Sequence, residues 1–243
     1  LVVFIPGAMP AKDFSVAMAQ TPAGAQDLTD LLRAADISIA GIEVVQRKAV
    51  LRRLQLDGNT GAVHTHSQDA EIAVPQFRHV AEAGSATFDL IDESEGTQML
   101  FALAGPVLDI LRQGRVLVVD ELDRSLHTMI VRRLVEWFHN PAMNPHGAQL
   151  VFTTHDTALL DQTLFRRDQV WFVEKTREQA SRLYPLSDFS PRKGEALERG
   201  YLQGRYGQAP GTVNYLFYPR SPTAVVTRYL RAASIAAASI IRA

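Results

Sequence analysis

The chain contains no cysteine. Disulfides, zinc–thiolate centres, iron–sulfur clusters and cysteine nucleophiles are therefore excluded, and the composition fits a reducing compartment. No apolar run reaches 18 residues, so an ordinary membrane-spanning helix is not expected. The N-terminal stretch Leu1-Val2-Val3-Phe4-Ile5-Pro6 lacks the basic flank and small-residue cleavage site of a signal peptide, and it lacks a starting Met. A cytoplasmic protein is the expectation. What is present is ordinary for a globular chain: 243 residues, 47% hydrophobic and 21% charged. At roughly 150 residues per domain this makes one or two domains, with enough chain to bury a core unaided.

Net charge is −1, but it is unevenly placed. Residues 1–164 carry 12 Lys and Arg against 20 Asp and Glu, a balance of −8, and residues 165–243 carry 13 against 6, a balance of +7. Two solvated faces of one globule would give this pattern. So would an acidic catalytic part followed by a basic surface for nucleic acid or another acidic partner.

Residues 1–26 are rich in Ala, Gly and Pro and read as a short strand followed by a loop. Leu28, Leu31, Leu32 and Ala35 then recur at helical spacing. Val44 to Leu56 is ambiguous. Asp57-Gly58-Asn59-Thr60-Gly61 is a strong turn signal between β-compatible segments, which predicts a hairpin. Ala86 to Leu90 alternates like a strand. Leu100, Leu103, Ala104, Val107, Leu108 and Leu111 mark an amphipathic helix over 97–112, stopped by Gln113-Gly114. Val116-Leu117-Val118-Val119 is a β-branched run suited to a strand buried on both faces. A helix pattern over 126–138, a strand at Leu150-Val151-Phe152, a short helix over 157–164 and a strand over Gln169–Val173 follow. Alternating strands and helices with short connections predict an α/β fold with a mainly parallel sheet flanked by helices.

Three places carry chemistry. The buried strand at 116–119 ends abruptly in Asp120-Glu121. Ligands of open α/β sheets sit beyond the carboxyl ends of the strands. An ordinary strand end reaching water would look the same. The functional reading is a Walker B site, whose first acid holds Mg²⁺ and whose second polarises the water that attacks a γ-phosphate. His155 follows another buried strand, 34 residues after Glu121. It is either a surface histidine or a group brought to the same sheet edge as the two acids. Glu93-Ser94-Glu95-Gly96-Thr97-Gln98 opens the helix over 97–112. It is either a simple cap by Ser94 or an anion site built from free N–H groups and the helix dipole.

Asp92-Glu93-Ser94-Glu95-Gly96-Thr97-Gln98, Val118-Val119-Asp120-Glu121-Leu122-Asp123-Arg124-Ser125-Leu126-His127, Phe152-Thr153-Thr154-His155-Asp156, Arg166-Arg167-Asp168-Gln169-Val170-Trp171-Phe172 and Gly204-Arg205-Tyr206-Gly207 together resemble the ABC/SMC-like ATPases of the bacterial abortive-infection and Rlo type. The resemblance covers about residues 77–210. Residues 1–76 match more loosely, as the lid or insert of the nucleotide-binding fold. It implies a P-loop NTPase fold of the ABC type, a head-to-tail homodimer around ATP and Mg²⁺, and work in anti-phage defence with a separate effector protein. Carried over residue by residue, it implies Asp120 as Mg²⁺ ligand, Glu121 as general base and His155 as switch histidine. Ser94 and Gly96, with Glu95 and Thr97 beside them, would meet the partner's γ-phosphate. Asp123 to His127 would form the D-loop that couples two sites. Arg166-Arg167-Asp168 is expected to brace the sheet as an ion pair. The implied organisation is a lid-like region over 1–85, an ATPase lobe over 86–210 and a tail over 211–243.

Two features depart from the pattern. No Gly-x-x-x-x-Gly-Lys-Ser/Thr segment occurs, although backbone amides and a Lys must hold the β- and γ-phosphates. Together with the missing Met, this suggests a C-terminal portion of a longer ATPase, incomplete at its N-terminus. The second departure is the tail, where Ala232 to Ile241 is apolar for only 10 residues, too short to span a bilayer. Besides the ATPase, two further readings stand: a degenerate ATPase half serving as a binding platform without turnover, and a DNA-binding ATPase.

Overall fold

The computed structural model describes residues 2–4, 12–35, 37–56, 63–82, 84–124, 126–175, 181–192, 194–207 and 214–217. The Asp57–Gly61 turn, Ser125 of the D-loop segment and all of the tail except 214–217 lie outside the described residues. In chain order the elements are β1 (Val2–Phe4), α1 (Asp13–Ala19), α2 (Pro22–Ala34), β2 (Gly41–Leu56), β3 (Val63–Ala81), β4 (Gly84–Asp89), α3 (Glu95–Gln113), β5 (Val116–Val119), α4 (Thr128–His139), β6 (Gln149–Thr154), β7 (Val170–Lys175), β8 (Ser181–Pro185), α5 (Leu197–Leu202) and β9 (Asn214–Phe217). They fall into two compact units, Met9–Leu108 and Leu1–Ala8 with Asp109–Ala243.

The first unit is a three-stranded antiparallel sheet, β2-β3-β4, with α1, α2 and most of α3. The expected hairpin is present in its arms: β2 pairs with β3 from Gly41↔Arg78 to Leu56↔Val63. The ambiguous stretch from Val44 to Leu56 is thus strand. The loop expected up to residue 26 is instead helix from Asp13 onward. Pro22 and Gly24 serve the start of α2. Thr21 caps that helix by accepting from the Gly24 N–H at 3.1 Å, and Pro22 occupies the first turn, where an N–H has no partner to lose. Gly24 also allows a close approach, since a Cβ there would lie 2.1 Å from the Met18 carbonyl oxygen. Leu28, Leu31, Leu32, Ile42, Leu100 and Val107 are buried, and Phe77 meets Phe101 edge to face at 5.2 Å.

The second unit carries a six-stranded sheet in the order β1-β5-β6-β9-β7-β8. β1, β5 and β6 are parallel neighbours, as expected. The rest departs from a mainly parallel sheet. β9 lies antiparallel between β6 and β7, and β8 pairs antiparallel with β7. The connection from β7 to β8 is too short for a crossover, which leaves an antiparallel neighbour as the only pairing open to it. β7 still runs in the direction of β6, because β9 is antiparallel to both. The 116–119 run behaves as its composition predicts, with Leu117, Val118 and Val119 buried. α4 buries Val131, Leu134, Val135, Trp137 and Phe138, its one apolar stripe. The helix expected over 157–164 shrinks to a single 3₁₀ turn, Thr157–Leu159. Asp161 ends it by accepting from both the N–H and the hydroxyl of Thr163, each at 2.8 Å, a local turn that competes with helix. No helix among the described residues is long and apolar enough to cross a membrane.

Candidate active site at the strand ends

Parallel pairing brings the carboxyl ends of β5 and β6 to one edge. The register sets Val119 opposite Phe152, so the residues that follow, Asp120-Glu121 and Thr153-Thr154-His155, share that edge. Thr153 joins the strands there. Its hydroxyl accepts from the Glu121 N–H at 2.8 Å and donates to Asp120 Oδ1, and its carbonyl accepts from the Leu122 N–H at 3.0 Å. Glu121 has φ of 51°, in the left-handed region that non-glycine residues rarely occupy. This turn aims the second acid away from the strand's own alternation. Its Oε1 lies 3.7 Å from His155 Nε2, beyond a direct hydrogen bond, and the two groups border one space. Both remain partly exposed, 34% for the Glu121 side chain and 55% for that of His155, so a substrate or water can reach them.

The following loop is tied to the histidine. The Asp123 carboxylate accepts from the His155 N–H at 3.3 and 3.4 Å. Arg124 turns back on Glu121, its N–H donating to the Glu121 carbonyl at 3.0 Å and its guanidinium 3.5 Å from the carboxylate. Asp156 accepts from the Thr128 hydroxyl and from the Ala158 N–H at 3.0 Å, so the start of α4 and the turn after β6 share one carboxylate. Asp120, Glu121, Asp123 and His155 therefore form one constellation; Thr153 and Asp156, quoted in the motif without a role, and Thr128, outside every motif, join it. Thr153 and Asp156 had a signal: they stand within two residues of the strand-end histidine, where short polar side chains meet free backbone groups.

Ser94 to Thr97 belong to the other unit. Ser94 is a helix cap there. Its hydroxyl accepts from the Thr97 N–H at 3.1 Å and lies 2.9 Å from the Thr97 hydroxyl, while Thr97 itself is buried. Glu95 stands exposed in the first turn of α3, and Gly96 is half-buried. The Gln98 amide donates to the Glu93 carbonyl at 2.8 Å, and His79 Nε2 lies 2.7 Å from the Glu93 carboxylate. These bonds fix the backbone at the helix start.

The remaining quoted segments make contacts within the fold. Arg166 and Asp168 form an ion pair at 3.0 and 2.8 Å that holds the Asp168 carboxyl below its ordinary range, but it is local to the exposed segment before β7 and does not brace the sheet as expected. Tyr206 stacks over Phe172 with centroids 6.0 Å apart and lies 2.9 Å from Glu195 Oε1. Burial first, and then Glu195, push its phenol up to about 12. A cleft of about 640 Å³ lined by His139, His146, Phe165 and Arg166 lies at the other, amino-terminal ends of β6 and β7 and shares no residue with the strand-end site.

Residues 18–161 match a family described as "AAA domain, putative AbiEii toxin, Type IV TA system". The match spans more than half of the chain, and the chain belongs to this family of AAA, P-loop ATPase-like domains. No curated protein matches it.

Proposed function

We propose that the chain is the acidic, switch-bearing part of a Mg²⁺-dependent ABC-type ATPase that works as a homodimer around ATP. One observation carries this reading: a left-handed Glu121 beside Asp120, its carboxylate 3.7 Å from His155, at the end of a parallel strand. The donor set fits a nucleotide-borne Mg²⁺. Mg²⁺ is held by one or two carboxylates together with waters and phosphate oxygens, and not by an all-protein cage. Asp120 supplies such a carboxylate, and no group of three His, Asp or Glu fit to hold a metal alone occurs among the described residues.

When bound, the ion would neutralise charge on the β- and γ-phosphates. Asp120 holds it. Glu121 orients the attacking water and takes its proton. His155 donates a hydrogen bond to the γ-phosphate, positioned through its backbone by Asp123. Ser94, Glu95, Gly96 and Thr97 present the start of α3 to the γ-phosphate of the second subunit. The phosphate cradle and its lysine have no counterpart in this sequence, so on this reading they come from outside these residues. The family's description names a toxin of a type IV toxin–antitoxin system, and with it we propose a setting in anti-phage defence alongside a separate effector.

Glu121→Gln in the full-length protein tests this. Removing the base while keeping the shape traps ATP, and the mass measured by light scattering doubles with ATP and Mg²⁺. The missing cradle favours a second reading, a platform for protein or nucleic acid without turnover. A mass unchanged by nucleotide in both wild type and Glu121→Gln selects it.

A further inference from the structure

We propose that Thr153 is a positioning residue that holds both strand-end acids at once, setting the cation oxygen of Asp120 and the backbone of Glu121 through a single hydroxyl. The inference rests on the ATPase reading for its chemistry and on this chain's own hydrogen bonds for its geometry. A backbone N–H can only donate, so the bond from Glu121 N to Thr153 Oγ1, 2.8 Å long, uses the hydroxyl as acceptor. Its one proton then goes to Asp120 Oδ1, because an ionised carboxylate only accepts. Neither bond can reverse. With Oδ1 committed, Oδ2 is the oxygen Asp120 offers to a cation.

The same residue holds Glu121 in its left-handed conformation. The N–H groups of Glu121 and Leu122, on either side of the φ of 51°, end on the hydroxyl and carbonyl of Thr153. A non-glycine residue persists there only when its surroundings over-determine it. Thr153 is buried, so water does not readily replace a lost partner. The neighbouring hydroxyl, Thr154 Oγ1, is engaged elsewhere, accepting from the Asp156 N–H at 3.0 Å. Thr153 thus acts through Asp120 and Glu121. Outer partners of metal-holding carboxylates set ligand orientation and typically change metal affinity about 10–100-fold when removed.

Thr153→Val keeps the shape and removes both bonds. Thr153→Ser keeps the hydroxyl. In the full-length protein, two readouts separate them. The first is amide exchange of Glu121 by NMR without nucleotide, expected to speed up about 10-fold or more in Thr153→Val and to stay near wild type in Thr153→Ser. The second is Mn²⁺ binding in the presence of ATP, followed by electron paramagnetic resonance, expected to weaken about 10-fold or more in Thr153→Val with recovery in Thr153→Ser. If Thr153→Val does not fold, Thr153→Ala against Thr153→Ser makes the same comparison. Thr153→Val binding Mn²⁺ like wild type while Asp120→Asn loses it overturns the role of Thr153 and leaves the ATPase reading intact. Wild type and Asp120→Asn binding Mn²⁺ alike overturns both.

Discussion

Glu121 owes its direction to an unfavourable backbone. A left-handed non-glycine residue costs about 1–2 kcal/mol, whereas glycine there is free of that strain but loses more chain entropy on folding. Glu121→Gly is therefore expected to raise stability by about 0.5–1 kcal/mol while ending turnover. The denaturant midpoint at unchanged slope measures the first effect, and a midpoint at or below wild type shows that the φ of 51° carries no strain. The two acids and the histidine were legible as residues, because each ends a hydrophobic run. The turn that points Glu121 at His155 was not, since it depends on Thr153 from a strand 32 residues away.

α3 shows the same division at the scale of an element. Its apolar period was plain, yet Pro106 stands inside it. A proline lacks the N–H that would bond the carbonyl four residues earlier, here that of Ala102. Ser15 makes good the loss: its hydroxyl donates to the Ala102 carbonyl at 3.3 Å and accepts from the Gly105 N–H at 3.0 Å, in a buried position. Gly105 lets α1 come this near, since a Cβ there would lie 2.6 Å from Ser15 Oγ. Ser15→Ala should cost about 1–3 kcal/mol, and about 1 kcal/mol less in a Pro106→Ala background, where residue 106 regains its N–H. Equal losses in both backgrounds, by urea unfolding, would show that Ser15 does not serve the proline. A second case joins β2, β3 and β4. The Asp89 carboxyl accepts from Gln76 at 2.9 Å and pairs with Arg47, which together hold its pKa below the ordinary 3.8. A depressed carboxyl contributes stability in full above its unfolded value, and that contribution is lost as pH falls through the folded one. Asp89→Asn should flatten the decline of stability below about pH 4, measured as denaturant midpoint against pH, and an unchanged acid limb removes Asp89 from that account.

For the whole molecule, the proposed dimer makes a prediction that no single site can. If Ser94 serves the γ-phosphate of the second subunit, Ser94→Arg and Glu121→Gln each abolish turnover alone, but a mixture recovers it. In a mixed dimer one site pairs an intact Glu121 with an intact Ser94. Phosphate release from the mixture checks this, and none from mixtures shown to exchange subunits puts Ser94 in its own subunit's site. Sequence by itself determined the absence of thiol chemistry, the existence and type of β5, α3, α4 and β6, and the acidic and histidine ends of two strands. Hydrophobic period and β-branched composition are local, and so these were legible. It did not determine the helices before residue 26, where Pro22 and Gly24 signal a loop until Thr21 is seen capping α2. Nor did it determine the antiparallel half of the six-stranded sheet, because pairing partners are set by where the chain returns. Only the tertiary structure decided that one threonine on β6 joins both acids of β5, since hydrogen bonds across parallel strands follow register, and register belongs to the packed sheet.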